Sequence, residues 1–217
     1  MKRTCLTFTI IICLQLILCA PALARHAGPY AGLFAGGTLL PDSKSSDSQG
    51  NFSLTFDPGE QESAVIGWEL VQGNPLGEGR VELEYSHRNN PLNEVKFVEG
   101  NFQGDGDLTS DSLLVNVFAV YHDISRWAPY FGVGIGAARI KADDLRVSGQ
   151  LLSSDSATVF AYQLGVGCEY GLTDSLSLDF GYRYFGSSRP KLSEENGKSF
   201  KMDYATHSLV LGVKVGF

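Results

Sequence analysis

The 217-residue chain carries 17 Lys and Arg against 24 Asp and Glu, a formal net charge of −7, with 25 glycines and 43% hydrophobic residues. The acidic balance argues against nucleic-acid binding, whose affinity comes from neutralising phosphates. No segment beyond residue 24 offers eighteen consecutive apolar residues, which excludes a helical membrane span there. The length suits one domain and no composition break suggests two.

At the N-terminus, Lys2 and Arg3 precede an apolar run from Cys5 to Ala20, and Ala22-Leu23-Ala24 supplies a small-x-small pattern. This is the layout of a secretory signal, residues 1–24, with cleavage expected before Arg25 and a domain over 25–217. Thr4, Thr7, Thr9, Gln15 and Pro21 make the run a poor membrane span. Leu18 before Cys19 argues against lipidation. Cleavage removes Cys5, Cys13 and Cys19 and leaves Cys168, so no internal disulfide framework is expected. It also removes Lys2 and Arg3, leaving 15 basic residues against 24 acidic ones, a net charge near −9.

The remainder reads as eight period-2 segments separated by turns. Tyr30–Leu40 is the first. Ala64–Leu70 sets Ala64, Ile66, Trp68 and Leu70 against Val65, Gly67 and Glu69. Arg80–Arg88 alternates Val81, Leu83, Tyr85 and His87 with Arg80, Glu82, Glu84, Ser86 and Arg88. Ser112–His122 places Leu113, Val115, Val117, Ala119 and Tyr121 opposite Asn116 and His122. In Pro129–Ile140, Phe131, Val133, Ile135 and Ala137 oppose Gly132, Gly134, Gly136 and Ala138. Val159–Tyr170 alternates Phe160, Tyr162, Leu164, Val166, Cys168 and Tyr170 with Ala161, Gln163, Gly165, Gly167 and Glu169. The seventh sets Leu176, Leu178, Phe180, Tyr182 and Tyr184 against Ser177, Asp179, Gly181 and Arg183. The eighth sets Leu209, Leu211, Val213, Val215 and Phe217 against Ser208, Gly212, Lys214 and Gly216.

One face of most segments is apolar and aromatic; the other is small, glycine-rich or charged. In a membrane barrel the apolar face meets lipid and the other lines the interior. Glycine discriminates, because it weakens a strand on a solvated surface and yet makes room inside a narrow barrel. The connections alternate too. Short turns are expected around Gly73–Gly79, Asp123–Trp127 and Gly171–Asp174, and long polar loops over 41–61, 89–111, 141–157 and 186–203. The expected fold is therefore all-β: an eight-stranded antiparallel up-and-down transmembrane β-barrel, with four loops outside the cell.

The segments Arg80–Arg88, Pro129–Gly136, Ala161–Tyr170, Asp179–Tyr184 and the end at Phe217 resemble the small OmpA-like, or "porin family", outer-membrane barrels. The resemblance covers residues 28–217 and implies a place in the outer membrane among its lipids and lipopolysaccharide. It also implies an assembly signal in Val213, Val215 and Phe217, read by the barrel assembly machinery, with periplasmic chaperones in transit. No peptidoglycan-binding domain is expected after Phe217. Activity is not implied, because architecture defines the group.

An eight-stranded barrel has an interior just wide enough for its side chains. The inward charges Arg80, Glu82, Glu84, Glu169, Asp179, Arg183 and Lys214, with Glu69, Asn116 and Gln163 nearby, are expected to form an ion-pair network, since unpaired buried charge is costly. No catalytic, metal or cofactor site is expected. His26, His87, His122 and His207 do not converge, and the adjacent pairs His207-Ser208 and Ser86-His87 point to opposite faces. Asp105–Asp111 has partial calcium-loop spacing, but Asn116 stands where an acid is required, so a solvated acidic loop is expected. Tyr30, Trp68, Tyr85, Tyr121, Trp127, Tyr130, Tyr170, Tyr182 and Tyr184 are expected to form interfacial girdles. Two functions stay open: a structural surface anchor presenting its loops to a ligand, or a narrow channel for ions or very small solutes.

Overall fold

The computed structural model describes residues 28–46, 50–70, 78–98, 100–121, 126–194 and 197–217, so the signal segment lies outside the described residues. The strands are β1 (Pro29–Leu39), β2 (Ser43–Ser46), β3 (Asn51–Phe56), β4 (Gly59–Leu70), β5 (Gly79–Phe97), β6 (Gly100–Val120) and β7 (Trp127–Val147). β8 (Gln150–Ser153), β9 (Ser156–Gly171), β10 (Leu176–Ser187), β11 (Lys191–Ser193), β12 (Ser199–Met202) and β13 (Ala205–Gly216) follow. β1 pairs with β4, and antiparallel pairing then runs through β5, β6, β7, β9, β10 and β13. β13 returns to β1, with Tyr30 opposite Gly216 and Leu39 opposite His207. The ring is an eight-stranded up-and-down barrel. Closure leaves none of these strands with a free edge at membrane level, as hydrocarbon demands.

The period-2 pattern becomes two surfaces. Phe131 is 68% exposed and Ile66 61%, while Arg80 and Asp179, on the other face, are fully buried. Only lipid makes such an exterior favourable. Glycine sits where an interior ring needs space: a methyl group on Gly67 would strike the Tyr30 ring, and one on Gly167 would strike Tyr130. The turn at Gly171–Asp174 is tight, with the Leu172 and Thr173 amides donating to the Leu176 carbonyl. Most of the other two short turns lies outside the described residues.

The expectation of four long loops is corrected. β5 runs to Phe97, β6 starts at Gly100, β7 runs to Val147, and β2, β3, β8, β11 and β12 occupy the remaining connections. A second sheet, β5-β3-β2-β12-β11, continues from the wall. Its inner face supplies Leu54, Val95, Leu192, Phe200 and Met202 to one apolar cluster with Leu108, Ile140, Ala142 and Leu145 of β6 and β7. Above the lipid the exterior is water. The outward face therefore turns polar and the inward face apolar, and a polar exterior is what loop composition looks like in sequence.

Candidate functional site

Two filled regions stack along the barrel axis. In the lower one, β5 points Arg80, Glu82, Glu84, Ser86 and Arg88 inward at every second residue. Arg80 is the hub. Its Nη1 donates to Glu169 Oε2 at 3.0 Å and its Nη2 to Asp179 Oδ2 at 3.2 Å. Its Nε lies 2.8 Å from Glu82 Oε1, close enough for an ion pair but misaligned for a hydrogen bond. Glu169 and Asp179 stand on β9 and β10, so Arg80 spans the lumen from β5. Its guanidinium also lies 4.2 Å from the Tyr130 ring centroid and 4.9 Å from that of Phe118. Lys214 Nζ joins Glu169 Oε2 at 2.7 Å to Glu69 Oε1 at 3.1 Å.

A second group surrounds Glu84. Its Oε2 accepts from Asn116 Nδ2 at 2.7 Å and Gln163 Nε2 at 2.9 Å, and its Oε1 from Ser86 Oγ at 2.5 Å. Gln163 Oε1 accepts from Arg88 Nη2 at 3.2 Å, and Arg88 Nη1 donates to Ser112 Oγ at 2.9 Å. Arg183 is held by Tyr130 Oη at 3.0 Å and by the ring faces of Phe118 and Tyr130.

Sequence reasoning placed Tyr30 and Tyr130 in the interfacial girdles, and the structure corrects this. Both are buried in the lumen, where Tyr30 Oη donates to Glu82 at 2.6 Å and Tyr130 Oη to Asp179 at 2.5 Å. Parity gives the signal: Tyr30 shares a face with Gly32, and Tyr130 with Gly132 and Gly134. Arg88 and Phe118 are further network members that sequence reasoning left out. Trp68, Tyr85, Tyr121, Trp127, Tyr170, Tyr182 and Tyr184 are at least partly exposed, and the Trp127 and Tyr170 rings lie 4.7 Å apart.

His87 Nδ1 lies 2.9 Å from Asp111 Oδ1, which also accepts from Tyr85 Oη at 2.7 Å. His207 Nδ1 lies 2.6 Å from Tyr182 Oη. His26 and His122 fall outside the described residues. Asp105–Asp111 is no loop: it lies in β6, paired with β7, and Thr109 Oγ1 donates to Asp143 Oδ2 at 3.1 Å. At the C-terminal end, Val213 and Phe217 face outward, Val215 is partly covered, and the Phe217 amide donates to the Pro29 carbonyl at 3.0 Å.

The sequence profile of the family described as outer membrane protein beta-barrel domain matches residues 10–217. The chain belongs to this family. Its place is accordingly the outer membrane, in contact with that membrane's lipids. The family's barrel recurs in OprG from Pseudomonas aeruginosa, with a TM-score of 0.60 at 19% identity over 89% of this chain and 99% of that one. Neisserial surface protein A gives a TM-score of 0.55 at 21% identity, over 88% and 99%. In sequence, outer membrane protein PagN of Salmonella typhimurium is 26% identical over 88 residues, which are 38% of this chain and 36% of that protein. A protein of Brucella abortus is 33% identical over 113 residues, 48% of this chain and 38% of that protein. The chain thus spans less than two-fifths of the curated relatives it matches.

Proposed function

We propose that this protein is a closed structural anchor whose folded outer lobe, rather than a set of loops, is its interaction surface. The observation that carries this reading is that the interior is filled at both levels. The Arg80-centred network crosses the membrane-level lumen, and the apolar cluster from Leu54 to Met202 fills the lobe above it. Side chains that meet across a lumen of this width leave no path for a hydrated ion. The narrow channel is the weaker reading for that reason.

The role is non-enzymatic. Glu169 and Asp179, which could otherwise serve as an acid–base pair, are held by Arg80 and Lys214. The outer membrane protease OmpT of Escherichia coli superposes with a TM-score of 0.50 at 8% identity, a likeness of fold alone. The segment 1–24 acts as the export signal. The strand ending Val213, Val215 and Phe217 acts as the assembly signal, an assignment supported by its outward aromatic end and its place as the closing strand.

Planar-bilayer recording on the refolded protein tests the anchor. Little or no conductance is expected from the wild type. A steady, ion-selective current would overturn the reading in favour of transport.

A further inference from the structure

One outer face of the lobe gathers lysines, while the other mixes charges of both signs. On the wall made by β3, β2, β12 and β11, alternate residues face the core, and the residues between them point out. The outward set includes Lys44 of β2, Lys191 of β11 and Lys201 of β12. Register places Lys191 directly opposite Lys201, Lys201 opposite Ser46, and Ser53 opposite Lys96. An open groove of about 460 Å³ lies at the end of this wall formed by β2, β3 and β5, lined by Lys44, Lys96, Phe97 and Arg189 but not by Lys191 or Lys201. Across the lobe, the outward residues of β6 and β7 include Asp105, Asp107, Asp143 and Asp144.

Lys96 pairs with Asp42 at 3.1 Å and Arg189 with Asp203 at 2.6 Å. Among the described residues, no carboxylate lies at ion-pair distance from Lys44, Lys191 or Lys201. Like charges directly opposite on neighbouring strands repel. A cross-strand lysine pair beside a third lysine, none of them with a carboxylate partner among the described residues, gathers positive charge that a bound anion would offset.

Height selects among anions. Lys44 follows Leu39 by five residues, Lys201 precedes His207 by six, and Lys191 follows Tyr184 by seven. Leu39, His207 and Tyr184 mark the upper end of the lipid-facing wall. At no more than about 3.6 Å per residue, the lysines stand within roughly 25 Å of that boundary. This layer holds the phosphorylated sugars of outer-leaflet glycolipid. We propose that the lysine-bearing wall binds the phosphorylated sugar core of lipopolysaccharide in the protein's own membrane. The inference rests on the reading of the outer lobe as the interaction surface.

The test uses the full chain refolded in detergent micelles, titrated with purified lipopolysaccharide whose core is phosphorylated and with lipopolysaccharide lacking core phosphate. The phosphorylated form is expected to bind more tightly, and less so as salt rises. Lys44→Gln, Lys191→Gln and Lys201→Gln combined should weaken it by roughly a hundredfold, at about fivefold per lysine near an anionic surface. Arginine at the same positions should retain binding, and Arg146→Gln on the opposite wall should change nothing. Heat-modifiable migration on gels reports that each variant is folded. If the triple variant does not fold, Lys201→Gln alone decides, with the expected loss about fivefold. Equal affinity for the two lipopolysaccharides, or unchanged binding by the folded lysine variants, overturns the proposal. Binding of a soluble sulfated polysaccharide without lipopolysaccharide binding also overturns it, yet leaves the lobe as an interaction surface. A conducting wild type would instead strike the anchor reading, whatever the lysines bind.

Discussion

The barrel contains two cores made on opposite principles. At membrane level the interior is a set of charges around Arg80, and the apolar side chains face out. In the outer lobe the interior is leucine, isoleucine and phenylalanine, and the charges face out. The same strands do both. On β6 the outward residues Val117, Val115 and Leu113 give way to Asp111, Thr109 and Asp107, and on β7 Ile135 and Ala137 give way to Arg139 and Lys141. The surrounding solvent decides which half of a period-2 pattern is turned inward. Lipid accepts the apolar half, so the barrel must neutralise its own interior; water does not, so the lobe folds like a soluble protein.

The difference can be broken at its strongest point first. Arg80→Ala removes the cation shared by the buried Glu82, Glu169 and Asp179, and a loss of about 3–5 kcal/mol is expected. Denaturant titration of the refolded barrel measures it. Arg183→Ala removes a hydrogen bond to Tyr130 and ring contacts rather than a hub of ion pairs, so it should cost about 1.5–3 kcal/mol. Equal losses for the two would show that the ion pairs do not dominate the lower core.

In the upper core, Leu54→Ala leaves a cavity at a fully buried site and should cost about 3 kcal/mol. The loss should stay local. Amide exchange is expected to quicken at Ser53 and Val95 while Val115, at membrane level, remains protected. Exchange that quickened equally at both levels would mean that the two cores unfold as one. Gly167→Ala presses a methyl group against Tyr130 and should cost about 1–3 kcal/mol, with the lobe unaffected.

The smallest effect concerns the seam between the free edges of the lobe. Asp155 Oδ2 accepts from the Ser193 amide at 2.8 Å and its Oδ1 from the Ser156 amide at 2.7 Å, while Ser153 Oγ donates to the Ser193 carbonyl at 2.7 Å. The backbone amide of Ser193, with smaller help from its side chain and from the Ser156 amide, holds the Asp155 carboxyl below the usual carboxylate range. A depressed acid stabilises the fold above its unfolded value and loses that contribution as pH falls through the folded one. Protection of the Ser193 amide, taken relative to its intrinsic exchange rate at each pH, should therefore fall only in strong acid, and Asp155→Asn should remove that fall. A Ser193 amide equally protected on both sides of that range would show that the seam does not depend on the carboxylate.

The eight wall strands were legible because lipid-facing alternation persists for several residues and glycine marks the inner face. The inward charges were legible by the same parity. Tyr30 and Tyr130 were misread because their aromatic character was weighted above their parity with Gly32 and Gly132. The outer lobe was missed for a different reason. Its strands keep the period but reverse its sense at Asp111 and Arg139, and shifts of register at Pro91/Glu94, Asp105/Asp107 and Leu145/Arg146 interrupt the count. Serines and lysines on an outer face then resemble a loop.

The hydrogen bonding of β1 to β13 has a consequence in time. Synthesis delivers β1 first and β13 last among the wall strands, and each of the others pairs with the wall strand that comes before or after it. From its emergence until β13 arrives, β1 keeps an unsatisfied edge that can recruit any passing strand. Closure also joins segments far apart in the chain, which makes it slow. The barrel therefore cannot complete itself while it is being made. Docking of β13 onto β1 is the event that ends the wait.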